Sequence, residues 1–185
     1  IARPGVFETE AVSAQELLRA AQDYKGRISY PKPPEFHGTT FLKSLLLSLY
    51  SERRSVFQQP VASVNAQEIT QPLWNYLNKL HPLLWQQGGN FPSSAGEQVS
   101  YLANGQLVMA VSFNPNDYRT LVNQGRLPAG VKRYTLSDRA MTNTHYLAVP
   151  KTAQNPKLAK QVIEFLLSVQ AQLRKADTNR WGDPS

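Results

Sequence analysis

The chain has 185 residues, no cysteine, and 20 Lys and Arg against 13 Asp and Glu, a formal net charge of +7. Its 41% of apolar residues can fill the core of one ordinary domain, and the lack of cysteine excludes disulfides, thiol nucleophiles and thiolate metal sites within it. The positive charge lies in scattered doublets such as Arg53-Arg54, Lys132-Arg133 and Arg174-Lys175, which fits a solvated surface and argues against dedicated nucleic-acid binding.

Ser13 with Glu16 is a capping-box pattern, and Leu17, Leu18, Ala20 and Ala21 continue it as an apolar stripe that ends before Gly26. Residues 27–30 predict a short strand, stopped by prolines that cannot donate to a ladder. From Thr40 to about Phe57, Phe41, Leu42, Leu45, Leu46, Leu49 and Tyr50 recur at helical spacing, which predicts a helix burying one broad face. Thr70 and Pro72 predict the next helix start, with Leu73, Trp74, Leu77 and Leu80 facing inward. Pro82 bends the chain before a short continuation that ends at Gly88-Gly89. Ser94 and Glu97 repeat the capping-box spacing ahead of a helix closing at Asn104-Gly105.

Residues 106–113 predict a buried strand, and Asn114-Pro115-Asn116-Asp117 turns it into a helix through Asn123. Residues 131–136 and 144–149 predict two further strands. Asn155-Pro156 opens the last helix, with Leu158, Ala159, Val162, Phe165, Leu166 and Val169 toward the core. Short apolar strands separated by helices give the fold class α/β, a small mixed sheet flanked by helices. No apolar run is long enough to span a bilayer, since 41–49 is short and broken by Lys43, Ser44 and Ser48. The start at Ile1, without Met or a charged-then-apolar leader, predicts a processed or engineered piece.

The segment from Tyr30 to Lys43 reads as a strand end, a proline-shaped loop and a small-residue turn feeding a helix. Unpaired N–H groups at such a helix start let Gly38, Thr39 and Thr40 offer donors and hydroxyls to a polar or anionic group. The same residues also suit a plain cap, with Thr39 or Thr40 as the capping side chain. Asn143, His145 and Tyr146 are donor- and acceptor-rich residues that suit either ligand contact or ordinary surface packing. Ser112 and Asn114, at the end of the 106–113 strand, carry the same two readings.

His37, His81 and His145 match no metal-ligand spacing, even with Glu35 nearby, so no metal is expected. Phosphate-loop and dinucleotide fingerprints are missing, so no cofactor is expected either. A Ser, His and carboxylate set such as Ser112 with His145 would make the chain a hydrolytic enzyme, although no Gly-x-Ser-x-Gly occurs. A basic adaptor for nucleic acid is the remaining alternative. Trp74, Trp85 and Trp181 are expected to pack rather than to stack on a ligand.

The 30–43 segment, Gly105-Gln106-Leu107-Val108-Met109-Ala110, the run 142–150 and the late Trp181-Gly182-Asp183 together resemble family-1 extracellular solute-binding proteins of bacterial ABC importers. The likeness spans nearly the whole chain and leans toward a poorly characterised branch related to thiamine- and iron-binding members. Iron-binding relatives carry adjacent tyrosines, and no Tyr-Tyr pair occurs here. Members of the family are longer, carry an export signal and fold as two α/β lobes of the type II periplasmic-binding-protein kind.

The resemblance implies that residues 1–113 form the second lobe and residues 114–185 a return segment across the hinge with a C-terminal helix, with packing of that segment into the same domain as the alternative. It implies a periplasmic, non-enzymatic protein that captures a small polar or anionic solute between lobes and delivers it to an ABC permease in the inner membrane. The ligand contacts would be Gly38, Thr39, Thr40, Ser112, Asn114, Asn143, His145 and Tyr146. Strands left without a first lobe are expected to repack or to pair edge to edge with a second copy as a dimer.

Overall fold

Side-chain caps decide where most of the helices begin. The computed structural model describes residues 1–50, 54–136, 141 and 145–183. A two-residue strand, β1 (Ala11–Val12), leads into α1 (Ala14–Asp23), where Ser13 Oγ accepts from the Glu16 amide at 3.1 Å. Glu16 does not return the bond to Ser13. Its carboxylate accepts instead from the amides of Glu8 and Thr9, which ties the N-terminal loop onto the helix.

The next helix, α2 (Phe36–Ser48), begins earlier than the leucine spacing predicts because Glu35, not a threonine, caps it. Glu35 Oε2 accepts from the Gly38 amide at 3.0 Å and the Glu35 carbonyl accepts from the Thr39 amide at 2.9 Å. Residues 54–58 form a separate 3-10 turn rather than the end of this helix. In α3 (Ala66–Leu80) the cap is Asn65, whose Oδ1 accepts from the amides of Gln67 and Glu68, so Pro72 lies inside the helix and not in its first turn. The α4 helix (Ala95–Ala103) is capped by Ser94, while Glu97 reaches back to the Ser93 amide and hydroxyl. Then come α5 (Asp117–Asn123), β2 (Thr135–Leu136), α6 (Pro156–Leu166), capped by Asn155, and α7 (Val169–Ala176), capped by Ser168.

The result is a helix-rich α/β arrangement with a small sheet of two parallel strands among the described residues, not the mixed sheet expected. β1 pairs in parallel with β2, placing Ala11 opposite Thr135 and Val12 opposite Leu136. Ala2 adds isolated antiparallel bridges to Met109 and Lys132, so the chain around residue 132 packs against the N-terminus. Residues 27–30 and 106–113 were expected as strands, yet they exchange only scattered bonds. The Val108 amide donates to the Arg27 carbonyl, and the Arg3 amide donates to the Val108 carbonyl.

Gln98 completes that arrangement from outside it. Its fully buried amide donates to the Ser29 carbonyl at 2.7 Å and accepts from the Val111 amide at 3.0 Å, pairing backbone groups that lack a strand neighbour. The expected strand at 144–149 is not formed over its described residues, 145–149, where Tyr146 is 86% exposed. An apolar run makes no strand without a neighbour to share its backbone bonds. The edge expected to drive dimerisation is therefore not present there.

One core cluster joins α1, α2 and α3 to residues 28–30 and 108–111 through Leu17, Leu45, Leu77, Leu80 and Val108, while a smaller one gathers Val99, Leu102, Leu121 and Val131. Inside the first, Tyr30 stacks on Phe41 at 5.1 Å between ring centroids and its hydroxyl lies 2.9 Å from His81 Nε2. Burial pushes the phenol up to about 12 and holds the imidazole below its ordinary value. The last helices depart from expectation: Leu158, Val162, Phe165 and Val169 are exposed, because no element covers that face among the described residues. Trp74 is likewise exposed, its indole N–H donating to Thr70 Oγ1.

Gly38 seats α2 on the proline loop. A Cβ built there would lie 1.8 Å from the Pro31 carbonyl oxygen, a backbone atom that cannot swing away. Gly38→Ala should therefore destabilise the fold by about 2–3 kcal/mol in denaturant unfolding, although alanine is the better helix former by about 1 kcal/mol. A neutral or stabilising result would refute this packing.

Burial pushes the Glu35 carboxyl upward, but the Gly38 amide and the His37 imidazole, 2.9 Å away, outweigh it and hold the group below its ordinary value near 4.5. A folded-state pKa below the unfolded one stabilises the fold above the unfolded value, and that contribution disappears as pH falls through the folded value. Glu35→Gln should flatten the loss of melting temperature on acidification below about pH 4.5 and cost roughly 1 kcal/mol at neutral pH, as capping side chains do. Superimposable profiles for the two proteins would contradict this assignment.

Candidate functional site

Because α2 starts at Phe36, the residues at 36, 37, 40, 43 and 44 fall on one face, following the i, i+4, i+7 and i+8 spacing of a helix. That face forms one wall of a cleft of about 950 Å³. The turn between residues 110 and 118, residues 133–136, and His145, Trp181 and Asp183 also line it. A smaller hollow of about 470 Å³ adjoins it, sharing Tyr118, Arg133 and Tyr134. The larger cleft is within the size range of small-molecule sites and mixes apolar walls with a few polar groups.

The 112–117 turn is held by its own side chains. Ser112 Oγ accepts from the Asn114 amide at 3.1 Å and donates to the Asp117 carboxylate. Asn114 Oδ1 accepts from the Asn116 amide at 2.9 Å, and Asn114 Nδ2 donates to the Gly182 carbonyl at 2.8 Å. This last bond pins the Trp181-Gly182-Asp183 tail to the cleft. Gly182 is required there twice over, by a φ of +76° and by the Thr120 hydroxyl, which would lie 2.1 Å from a Cβ. The Asp183 carboxylate also meets Lys175 Nζ at 3.5 Å, and that ammonium sits 5.3 Å from the centroid of the Trp181 ring.

The eight residues singled out from the sequence divide clearly. Thr40, Ser112, Asn114 and His145 line the cleft together. Gly38 does not: it is buried against Pro31, and the amides of Gly38 and Thr39 are already bonded to Glu35, so the expected free donors are not available. Thr39 Oγ1 is buried without a partner among the described residues. Tyr146 is exposed and does not line the cleft, and Asn143 lies outside the described residues. Ser112 and Asn114 help chiefly by fixing the turn, since their polar atoms are engaged within it.

Ser112 pairs with Asp117, and no hydrogen bond joins it to a histidine among the described residues, so the geometry of a nucleophile activated by an imidazole is not assembled there. No cluster of three or more potential metal-ligating side chains occurs among the described residues, and no described helix is long and apolar enough to cross a membrane. Sequence reasoning missed Phe36, Lys43, Phe113 and Arg133 as cleft residues and assigned Trp181 to packing. Placing the cap at Glu35 would have found the first two.

Residues 2–182 match the family described as bacterial extracellular solute-binding protein. The chain is 38% identical over 185 residues to Protein YnjB of Escherichia coli (strain K12), an alignment covering 100% of this chain and 47% of that protein. It thus spans less than half the length of that relative. No solved structure gives a significant match. The family match takes in every residue that lines the cleft except Ile1 and Asp183, and on it the chain belongs to the bacterial extracellular solute-binding protein family.

Proposed function

We propose that the chain is part of the substrate-binding component of an ABC importer, which captures a small polar or anionic solute in the periplasm and delivers it to a permease in the inner membrane. The observation that carries this reading is the cleft of about 950 Å³ beside α2, in a chain of a solute-binding family. Residues 1–113 would be the second lobe of a type II binding protein and residues 114–185 a return segment, with part of it packed into the same lobe. No bond would be made or broken in the process. Ligand contacts to both lobes would shift a hinge equilibrium toward closure, and this chain would supply one side of them.

Of the sequence-derived residues, Thr40 and His145 would contact the solute, and Ser112 and Asn114 would hold the turn beside it; all four line the cleft. Thr40→Trp should fill the cleft. In the full-length natural polypeptide it should abolish the stabilisation that a bound solute gives in a thermal-shift screen, while leaving the melting temperature without solute nearly unchanged. The 185-residue chain alone should bind the same solute at least about 100-fold more weakly by calorimetry, the loss of some 2.7 kcal/mol of contacts. Native affinity in the isolated chain, or full binding by the Thr40→Trp protein, would refute the reading.

A further inference from the structure

His37, in the first turn of α2, lines the cleft, whereas Glu35 two residues before it does not. The imidazole Nδ1 lies 2.9 Å from Glu35 Oε1, so that edge of the ring is turned to the helix cap. The rings of Phe36 and Phe113, both in the cleft lining, flank the imidazole at 5.4 and 5.7 Å between centroids. Nε2, on the far side of the ring, has no hydrogen-bond partner among the described residues and is open to solvent, the side chain being 27% exposed.

Glu35 decides which ring nitrogen carries the proton. Its carboxyl is held below the ordinary value, so near neutral pH it is ionised and can only accept. Nδ1 must then be the donor of the 2.9 Å bond, and the neutral ring keeps its lone pair on Nε2. The two phenylalanine rings beside it offer no competing partner of their own. A few polar atoms held in fixed orientation against apolar surface are what set the orientation of a small molecule in such a cleft.

Resting on the solute-capture reading above, we infer that His37 contacts the solute, its Nε2 accepting a hydrogen bond from an N–H or O–H of the bound molecule, with Glu35 as the positioning residue that fixes the tautomer. A solute offering only lone pairs at that point would leave two acceptors face to face, and an unmatched polar group in a site costs more than a bond contributes. The arrangement can be inverted by one substitution. Glu35 Oε2 accepts from the Gly38 amide at 3.0 Å, so in a Glu35→Gln protein that amide would retain the side-chain oxygen and the new NH2 group would face Nδ1. Nδ1 would then have to accept, the proton would move to Nε2, and the cleft would present a donor in place of an acceptor.

Long-range proton–nitrogen NMR of the histidine rings in the full-length natural polypeptide, at about pH 8 where an ordinary imidazole is neutral, tests this. The His37 signals, identified by their loss in His37→Gln, should show protonated Nδ1 and bare Nε2, and Glu35→Gln should reverse the two. Pyrrole and furan, neutral rings of one shape that differ in carrying an N–H donor or an oxygen acceptor, then serve as probes. Pyrrole should shift Nε2 and bind about fivefold more tightly than furan, the worth of one neutral hydrogen bond. Glu35→Gln should invert that order, and Thr40→Trp should abolish the shift by filling the cleft. An imidazolium or an Nε2–H ring in the unsubstituted protein would overturn the inference. Equal binding of the two probes, or no effect of either on His37, would overturn it as well. Solute capture itself falls only if a broad solute screen also fails to stabilise the protein.

Discussion

The contact between Gly38 and the Pro31 carbonyl fixes how α2 sits, and most of the functional geometry follows from it. Glu35 closes the first turn from one side, while the missing side chain at Gly38 lets the helix rest directly on the proline loop. Phe41 and Leu45 then enter the core against Tyr30, and the face carrying Phe36, Thr40 and Lys43 is left toward the cleft. A bulkier residue at position 38 would lift the helix and alter both faces at once. The glycine that looked like a source of free donors is thus a spacer, and the cleft-facing surface begins on the other side of the same turn.

The rest of the cleft lining depends on borrowed hydrogen bonds. Few strand ladders form, so Gln98 stands in for a backbone neighbour between Ser29 and Val111, and Asn114 anchors the C-terminal tail through the Gly182 carbonyl. Both are side chains buried or half-buried in a polar role, where removing one partner costs more than the bond itself contributes. They hold the strand-like segment, the turn and the tail in register without a continuous sheet. Trp181 reaches the cleft only because that tail is pinned.

Local chemistry was the legible part of the sequence. Ser13, Ser94 and Asn155 cap helices as their spacing predicts, and Asn114 through Asp117 turns into a short helix. The family was also legible, in motifs spread over nearly the whole chain. Long-range pairing was not: residues 106–113 have strand composition, but whether a ladder forms depends on neighbours that composition does not specify. The start of α2 was misplaced because Glu is a less common cap than Thr, and a four-residue error moved attention from Phe36 and Lys43 to Gly38 and Thr39. Apolar periodicity in α6 was real, yet the face it marks is uncovered among the described residues, so the pattern identified an apolar face and not a buried one.

The central claim is that one face of α2 and the 112–118 turn form the solute-facing surface. Chemical-shift mapping of the full-length natural polypeptide during solute titration would test it most directly. The account predicts the largest shifts at Phe36, Thr40, Lys43, Ser44 and Phe113, with Gly38 responding little. Shifts concentrated instead at 145–149 or along α6, with the α2 face silent, would contradict it.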